Sequence, residues 1–140
     1  MKKFRVKRYE VPGWIITAVE ILRPRKRLSV SKWAEKHRIL PDGNAIPGPW
    51  RNSVTPYLVE IMDTFDDDVV EKIVFVKPTQ VGGTSAMENM LGSLIDQAPG
   101  PTMIVYPSDD LAERTVDAKL DPMIKACKVL AEKYREHISK

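Results

Sequence analysis

One arrangement restricts the fold of this chain more than any other: an apolar run, a glycine-containing loop and a helical pattern follow one another directly. The run, Ile73 to Val76 in EKIVFVK, has the near-continuous hydrophobicity of a strand buried in a parallel sheet. The loop PTQVGG follows, then the helix TSAMENMLGSLIDQ, and then a second apolar strand, TMIVYP. This order predicts a βαβ unit with parallel strands and a right-handed crossover.

Helices are predicted on both sides of this unit. The segment SDDLAERTVDAKLDPMIKAC predicts a helix that Ser108 or Asp109 caps and that Pro122 kinks or splits. Three helices are predicted upstream: VPGWIITAVEILRPR, SVSKWAEKHRIL and TPYLVEIMDTF. Ser29 or Ser31 is the expected cap of the second helix, and Thr55 that of the third. The fold class is therefore α/β: one βαβ unit plus the following helix, preceded by an N-terminal helical segment.

Charge divides the chain into a basic arm and a mildly acidic body. Residues 1–27 hold nine Lys and Arg and two Glu, a net charge of +7, whereas residues 28–140 carry −4. This asymmetry is typical of a protein that binds a polyanion, nucleic acid above all, or of a chain with a solvated terminus. We therefore expect residues 1–27 to be a basic arm with a short helix, and residues 28–140 to be a separate folded unit.

Composition excludes two classes of protein. No run approaches the roughly 18 apolar residues that a membrane span needs, so no membrane partner is expected. The single cysteine, Cys127, rules out an internal disulfide framework and fits a reducing cytoplasm.

The loop has the frame of a phosphate-binding loop with its lysine displaced. The usual pattern, G-x-x-x-x-G-K-[ST], places backbone N–H groups, a lysine and a hydroxyl around phosphates and Mg²⁺. Here Lys77 stands at the first position, Gly82 at the second glycine, Gly83 at the lysine position and Thr84 at the hydroxyl position. Both ends of such a loop lie near the phosphates, so the long Lys77 side chain is expected to supply the missing charge. The alternative is a strand–helix turn that binds no ligand.

Carboxylates elsewhere do not complete a catalytic site. Asp66 to Asp68 follow a helix and are expected to be solvated turn residues rather than metal ligands, because adjacent side chains diverge. Neither apolar run ends in the acidic residue that a phosphate-loop motor needs for Mg²⁺ and the attacking water. Asp109 and Asp110 are better explained by helix capping.

Together these motifs resemble the N-terminal part of the large terminase subunit of tailed bacteriophages, of the lambda-like A-protein type. The resemblance runs from about Leu28 to Ile124, and the matching pieces are SVSKWAEKHRILP, IPGPWRNSVTPYLVEIMD, VEKIVFVKPTQVGGTSAMENMLG and IVYPSDDLAERTVDAKLDPMI. It implies a P-loop-type parallel sheet, with residues 28–140 forming the incomplete N-terminal part of a P-loop ATPase domain.

The resemblance also implies roles for single residues. Lys77 would bind the β- and γ-phosphates, Gly82 and Gly83 would form the phosphate cradle with Ser85 beside it, and Thr84 would meet Mg²⁺. Gln80 occupies a position where some members carry an arginine, and it cannot supply that charge. Trp50 or Tyr57 would stack on the adenine, or both would be core aromatics.

For the complete protein, the resemblance implies an ATP- and Mg²⁺-dependent motor that packages double-stranded DNA in the cytoplasm of the bacterial host. Its partners would be DNA, the small terminase subunit, the portal or procapsid, and further copies of itself. The acidic pair and a nuclease domain would lie downstream, so this chain alone is expected to be inactive. Two rivals remain: another helicase-like P-loop ATPase, and a non-catalytic remnant that binds DNA or a partner and carries a vestigial loop.

Overall fold

The computed structural model describes residues 12–15 and 27–134, and helices dominate this part of the chain. In chain order the elements are α1 (Val30–His37), β1 (Ile39–Leu40), β2 (Gly48–Pro49), α2 (Tyr57–Thr64), α3 (Gly83–Gln97), α4 (Asp109–Thr115), a π-helical turn (Val116–Leu120), α5 (Asp121–Ala126) and α6 (Lys128–Ala131). Most of the predicted basic arm lies outside the described residues. None of the described helices is long and apolar enough to cross a membrane.

The core forms where α1, α2 and α3 pack against one another and against α5 and α6. The apolar spacing of α1 buries Val30, Trp33 and Ala34 completely, as the sequence predicted. Residues from the other helices join them in one cluster: Leu58, Met62, Ala86, Met123, Cys127 and Leu130. This helical core is the scaffold that supports the start of α3, where the glycine loop enters the helix.

A buried ion pair connects the end of α1 to α3. The guanidinium of Arg38 contacts the carboxylate of Glu88 at 2.5 Å, and both side chains are almost fully buried. Burial raises the pKa of Glu88, and the positive charges of Arg38 and Lys119 act to lower it. Arg38 also donates to the carbonyl of Ile39 at 3.1 Å, so the pair fixes the chain where α1 turns into β1.

The N-terminus of α1 is capped from another helix, which the sequence did not predict. Ser29 makes no side-chain cap. Instead Asp66 accepts from the backbone N–H of Val30, and Asp63 accepts from both the N–H and the hydroxyl of Ser31, all at 2.8 Å. A carboxylate suits this position because the first N–H groups of a helix are unpaired and carry partial positive charge. Asp66 is therefore a capping residue and not simply a solvated turn acid.

The last predicted helix is divided, as Pro122 indicated. Ser108 caps α4 through a 3.4 Å hydrogen bond from the N–H of Leu111, which confirms one of the two expected caps. A π-helical turn then separates α4 from α5, in which Pro122 occupies the first turn. A proline fits there because its missing N–H would have been unpaired at a helix start.

The predicted parallel sheet is absent from the described residues. The two strands that do form, β1 and β2, are two residues long and antiparallel, with Ile39 opposite Pro49. Neither EKIVFVK nor TMIVYP has regular secondary structure, and their apolar side chains are largely exposed, Val76 by 90% and Met103 by 85%. A strand is stable only when its N–H and C=O groups are paired, and in the described part of the chain neither segment has a partner. The observed fold is a helical unit with a small antiparallel sheet.

Candidate nucleotide-binding site

The glycine loop adopts a conformation that ordinary residues avoid. Gln80 has a φ of 61° and Gly82 a φ of 74°, so both lie in the left-handed region. Glycine reaches that region at no steric cost, whereas Gln80 is strained there. Gly82 directly precedes α3, and its backbone turns the chain into the helix.

The side chain of Lys77 lies directly over Gly83. A Cβ atom on Gly83 would be 2.3 Å from both Cδ and Cε of Lys77, far inside van der Waals contact. The stem of the lysine from the first loop position thus occupies the space in which a seventh-position side chain would start. Among the described residues, no carboxylate forms an ion pair with its ammonium group. The geometry agrees with the displaced-lysine interpretation and gives a reason for glycine at position 83.

The start of α3 offers unpaired donors. The first backbone hydrogen bond of this helix runs from the N–H of Ala86 to the carbonyl of Gly82, at 2.9 Å. The N–H of Gly82 has no hydrogen-bond partner in the described part of the chain, and no side chain caps the helix. Free donors at a helix N-terminus attract anions, phosphate groups in particular. Thr84 is exposed in this first turn and Ser85 is half-buried beside it.

Helix α2 supports the loop from one side. The hydroxyl of Tyr57 donates to the carbonyl of Val81 at 3.1 Å. The buried side chain of Leu58 lies beneath Gly82, where a Cβ would be 3.1 Å from its Cδ1 atom. Close approach of helix α2 and the loop therefore also requires glycine at position 82.

A cavity of about 460 Å³ separates the loop from the irregular segment upstream of α2, and we call it the loop cavity. Gln80, Gly82 and Ser85 line it on one side, and Trp50 and Tyr57 on the other. The structure thus brings three of the predicted site residues into one cavity, whereas Lys77 does not line it and Gly83 lines a second cavity of about 430 Å³. Thr84 lines neither this cavity nor the others described.

The two candidate aromatics differ in their surroundings. Trp50 is buried in the core, 6% exposed, and its indole N–H donates to Asn52 at 2.8 Å, which fits the core alternative. Tyr57 is 53% exposed at the edge of the loop cavity. Tyr57 is therefore not a core aromatic, and within α2 only Leu58 and Met62 are fully buried.

Two residues that line this cavity, Arg51 and Thr55, were not predicted to belong to a binding site. Arg51 is the one charged side chain among the described residues that line it. The hydroxyl of Thr55, also in the lining, is buried and has no hydrogen-bond partner in the described structure, so the predicted cap at Thr55 does not form. Both lie within the matching piece IPGPWRNSVTPYLVEIMD, and their nearness to the loop in three dimensions is what marks them.

Metal ligands are not assembled elsewhere. No group of three or more His, Cys, Asp or Glu side chains within the described ranges could hold a metal ion. Asp109 and Asp110 lie in the first turn of α4, and the residue that caps this helix is Ser108.

The candidate site is thus a glycine loop at the N-terminus of α3 with the side chain of Lys77 lying across it. Residues 44–140 match the family model described as phage terminase large subunit gpA, ATPase domain, and the chain belongs to this family. It is also 26% identical over 106 residues to the large terminase subunit of Enterobacteria phage P21. That match covers 75% of this chain but 16% of the relative, so the chain spans a small part of the relative's length. No solved structure matches the chain.

Proposed function

We propose that this chain is the nucleotide-binding part of a viral DNA-packaging motor, and that the complete protein uses ATP hydrolysis to move duplex DNA into a procapsid. One observation carries the nucleotide assignment. The stem of Lys77 crosses Gly83 at the start of α3, which brings a cation with no carboxylate partner among the described residues to a helix N-terminus with unpaired donors. Family membership supports the motor assignment.

The residues present fit a nucleoside triphosphate with Mg²⁺. The N–H groups of Gly82, Gly83 and Thr84 would hold phosphate oxygens, and the ammonium group of Lys77 would neutralise the β- and γ-phosphates. The hydroxyl of Thr84 would coordinate Mg²⁺, which when bound supplies charge neutralisation at the phosphate oxygens. Ser85 and Gln80 would line the site, but neither brings a positive charge.

The loop cavity is suited to the base and sugar. It is large enough for a nucleoside. Arg51 adds a positive charge that Gln80 lacks. We propose this cavity, which Trp50 also lines, as the adenine side of the site.

The sheet belongs to the complete domain. We propose that EKIVFVK and TMIVYP become neighbouring parallel strands when further strands of the ATPase domain pair with them. Their exposed apolar side chains support this, because such runs are typical of strands buried on both faces. Double-stranded DNA, the small terminase subunit and the portal are the proposed partners, and the basic residues 1–27 would contact DNA or the small subunit.

A nucleotide titration tests the proposal. Lys77→Ala is expected to weaken ATP binding about ten-fold or more, because a hydrogen bond to a charged group contributes about 1.5–3 kcal/mol. Lys72→Ala is the matched control, since Lys72 is exposed in the same segment but lies outside the loop. Equal affinity in the parent and Lys77→Ala would contradict the role of Lys77. No binding by the parent would favour a vestigial loop.

A further inference from the structure

The hydrogen bond between Tyr57 of α2 and the glycine loop determines the direction in which a backbone N–H of the loop points. The peptide group that joins Val81 to Gly82 is planar, so its C=O and its N–H point in opposite directions. The hydroxyl of Tyr57 holds the C=O end of this peptide at 3.1 Å. The N–H of Gly82 is thereby directed away from Tyr57, and it has no partner among the described residues.

We infer that Tyr57 is a positioning residue that orients the Gly82 N–H toward a bound phosphate, rather than a residue that stacks on the base. Fixing this one peptide matters because Gln80 and Gly82, the residues on either side of Val81, are both left-handed. A loop with two such residues has little local structure to hold it, and a strained conformation persists only where its surroundings enforce it. Leu58 beneath Gly82 and Tyr57 at Val81 are the contacts from α2 that do so.

The hydroxyl contributes little to the stability of the fold. Tyr57 is 53% exposed, and its hydrogen bond joins two exposed groups at the protein surface. Loss of such a bond leaves both partners accessible to water, so the free energy of unfolding should change little. The effect of removing it is therefore expected in the loop and in ligand affinity, which separates positioning from a structural role.

Two variants and two ligands distinguish positioning from stacking, a test that rests on the proposed function. Tyr57→Phe keeps an aromatic ring and removes only the hydroxyl, whereas Tyr57→Leu removes both. We expect each variant to bind ATP about two- to ten-fold more weakly, and to bind inorganic tripolyphosphate more weakly by a similar factor. Wild-type affinity in Tyr57→Phe, or a loss confined to ATP in Tyr57→Leu, would overturn the inference and favour stacking.

A measurement on the ligand-free protein tests the positioning role of Tyr57 independently of nucleotide binding. Backbone amide order parameters from ¹⁵N relaxation should fall at Gly82 and Gly83 in Tyr57→Phe and stay unchanged at Asn89 in the middle of α3. Tyr134→Phe is the matched control, because the Tyr134 hydroxyl makes no hydrogen bond within the described residues. Unchanged order parameters at Gly82 would overturn the positioning role. If they fall while wild-type protein binds neither ligand, the positioning of the loop stands and the proposed nucleotide function fails.

Discussion

Gly83 and Gly92 both lie too close to another side chain to carry a Cβ atom, but the neighbouring side chains differ. A Cβ on Gly83 would collide with the flexible stem of Lys77 at 2.3 Å. A Cβ on Gly92 would lie 2.4 Å from the ring of Trp33, which is buried and cannot move aside. The first glycine therefore leaves room for a loop side chain, and the second allows α1 and α3 to pack closely. The sequence shows both as glycines in or beside one helix and does not separate these roles.

Gly83→Ala is expected to impair nucleotide binding without unfolding the protein. The new methyl group displaces the Lys77 stem, while alanine favours a helix over glycine by up to about 1 kcal/mol. We expect ATP affinity to fall about as far as in Lys77→Ala, with the midpoint of urea unfolding unchanged or slightly raised. Calorimetric titration and urea denaturation measure the two quantities.

Gly100→Ala is the control for this substitution, because a Cβ there would have 3.9 Å to its nearest neighbour. Parental ATP affinity in Gly83→Ala would show that the contact between Lys77 and Gly83 has no part in binding.

At the level of elements, the helices depend on contacts that cross between them. The predicted cap of α1 was a serine next to it in sequence, but the caps are Asp63 at the end of α2 and Asp66 just beyond it. Asp63 engages both the N–H and the hydroxyl of Ser31. These bonds fasten α1 to α2, and α2 in turn supports the loop. The stability of the candidate site is therefore coupled to a helix start about 50 residues upstream in sequence.

Asp63→Ala should destabilise the chain by about 1–2 kcal/mol, because it removes a cap and leaves the buried Ser31 hydroxyl without its partner. The free energy of unfolding in urea is the measurement. Asp68→Ala serves as the control, since Asp68 is exposed and makes no hydrogen bond with the described residues. A similar loss in both variants would mean that acidic charge in this turn, rather than capping of α1, is what stabilises the protein.

For the molecule as a whole, Asp96 connects distant parts of the helical unit. It lies near the end of α3, accepts from the indole N–H of Trp33 in α1 at 2.9 Å, and pairs with Lys133 beyond α6 at 2.6 Å. Burial acts to raise the pKa of Asp96, but the hydrogen bonds from Lys133 and Trp33 outweigh it and hold the pKa below its usual value of 3.8. The ionised carboxylate therefore stabilises the folded state.

The pH dependence of stability follows from the direction of this shift. A carboxylate with a lowered folded-state pKa contributes stability that is complete above its unfolded pKa and is lost as pH falls through its folded pKa. Asp96→Asn should therefore reduce stability near neutral pH and flatten the loss of stability below about pH 3.8. Urea unfolding at a series of pH values measures this, with Asp110→Asn in the exposed face of α4 as control. Parallel curves for Asp96→Asn and the parent would refute the role of Asp96.

At the scale of the whole molecule, the two strands predicted at EKIVFVK and TMIVYP do not form within the described residues. Their apolar runs are plain in the sequence, yet Val74, Val76, Met103 and Val105 are all more than 70% exposed in this chain. The hydrophobic pattern of a strand indicates that its side chains will be buried, but it does not indicate which other strand will pair with it. The described residues include no strand that pairs with either segment.

The sequence alone determined the helices and the frame of the loop. The hydrogen bonds of a helix join residues four apart, so the spacing of Val30, Trp33 and Ala34 was enough to define α1 and its buried face. The sequence also places Lys77 six residues before Gly83, and the role of Lys77 as the displaced phosphate lysine stays a prediction. Tertiary structure alone decided the cap of α1, the exposure of Tyr57, the contact of Trp33 with Gly92, and the place of Arg51 and Thr55 in the loop cavity. Each of these depends on residues that are distant in sequence, and the positions of such partners are fixed only when the helices pack.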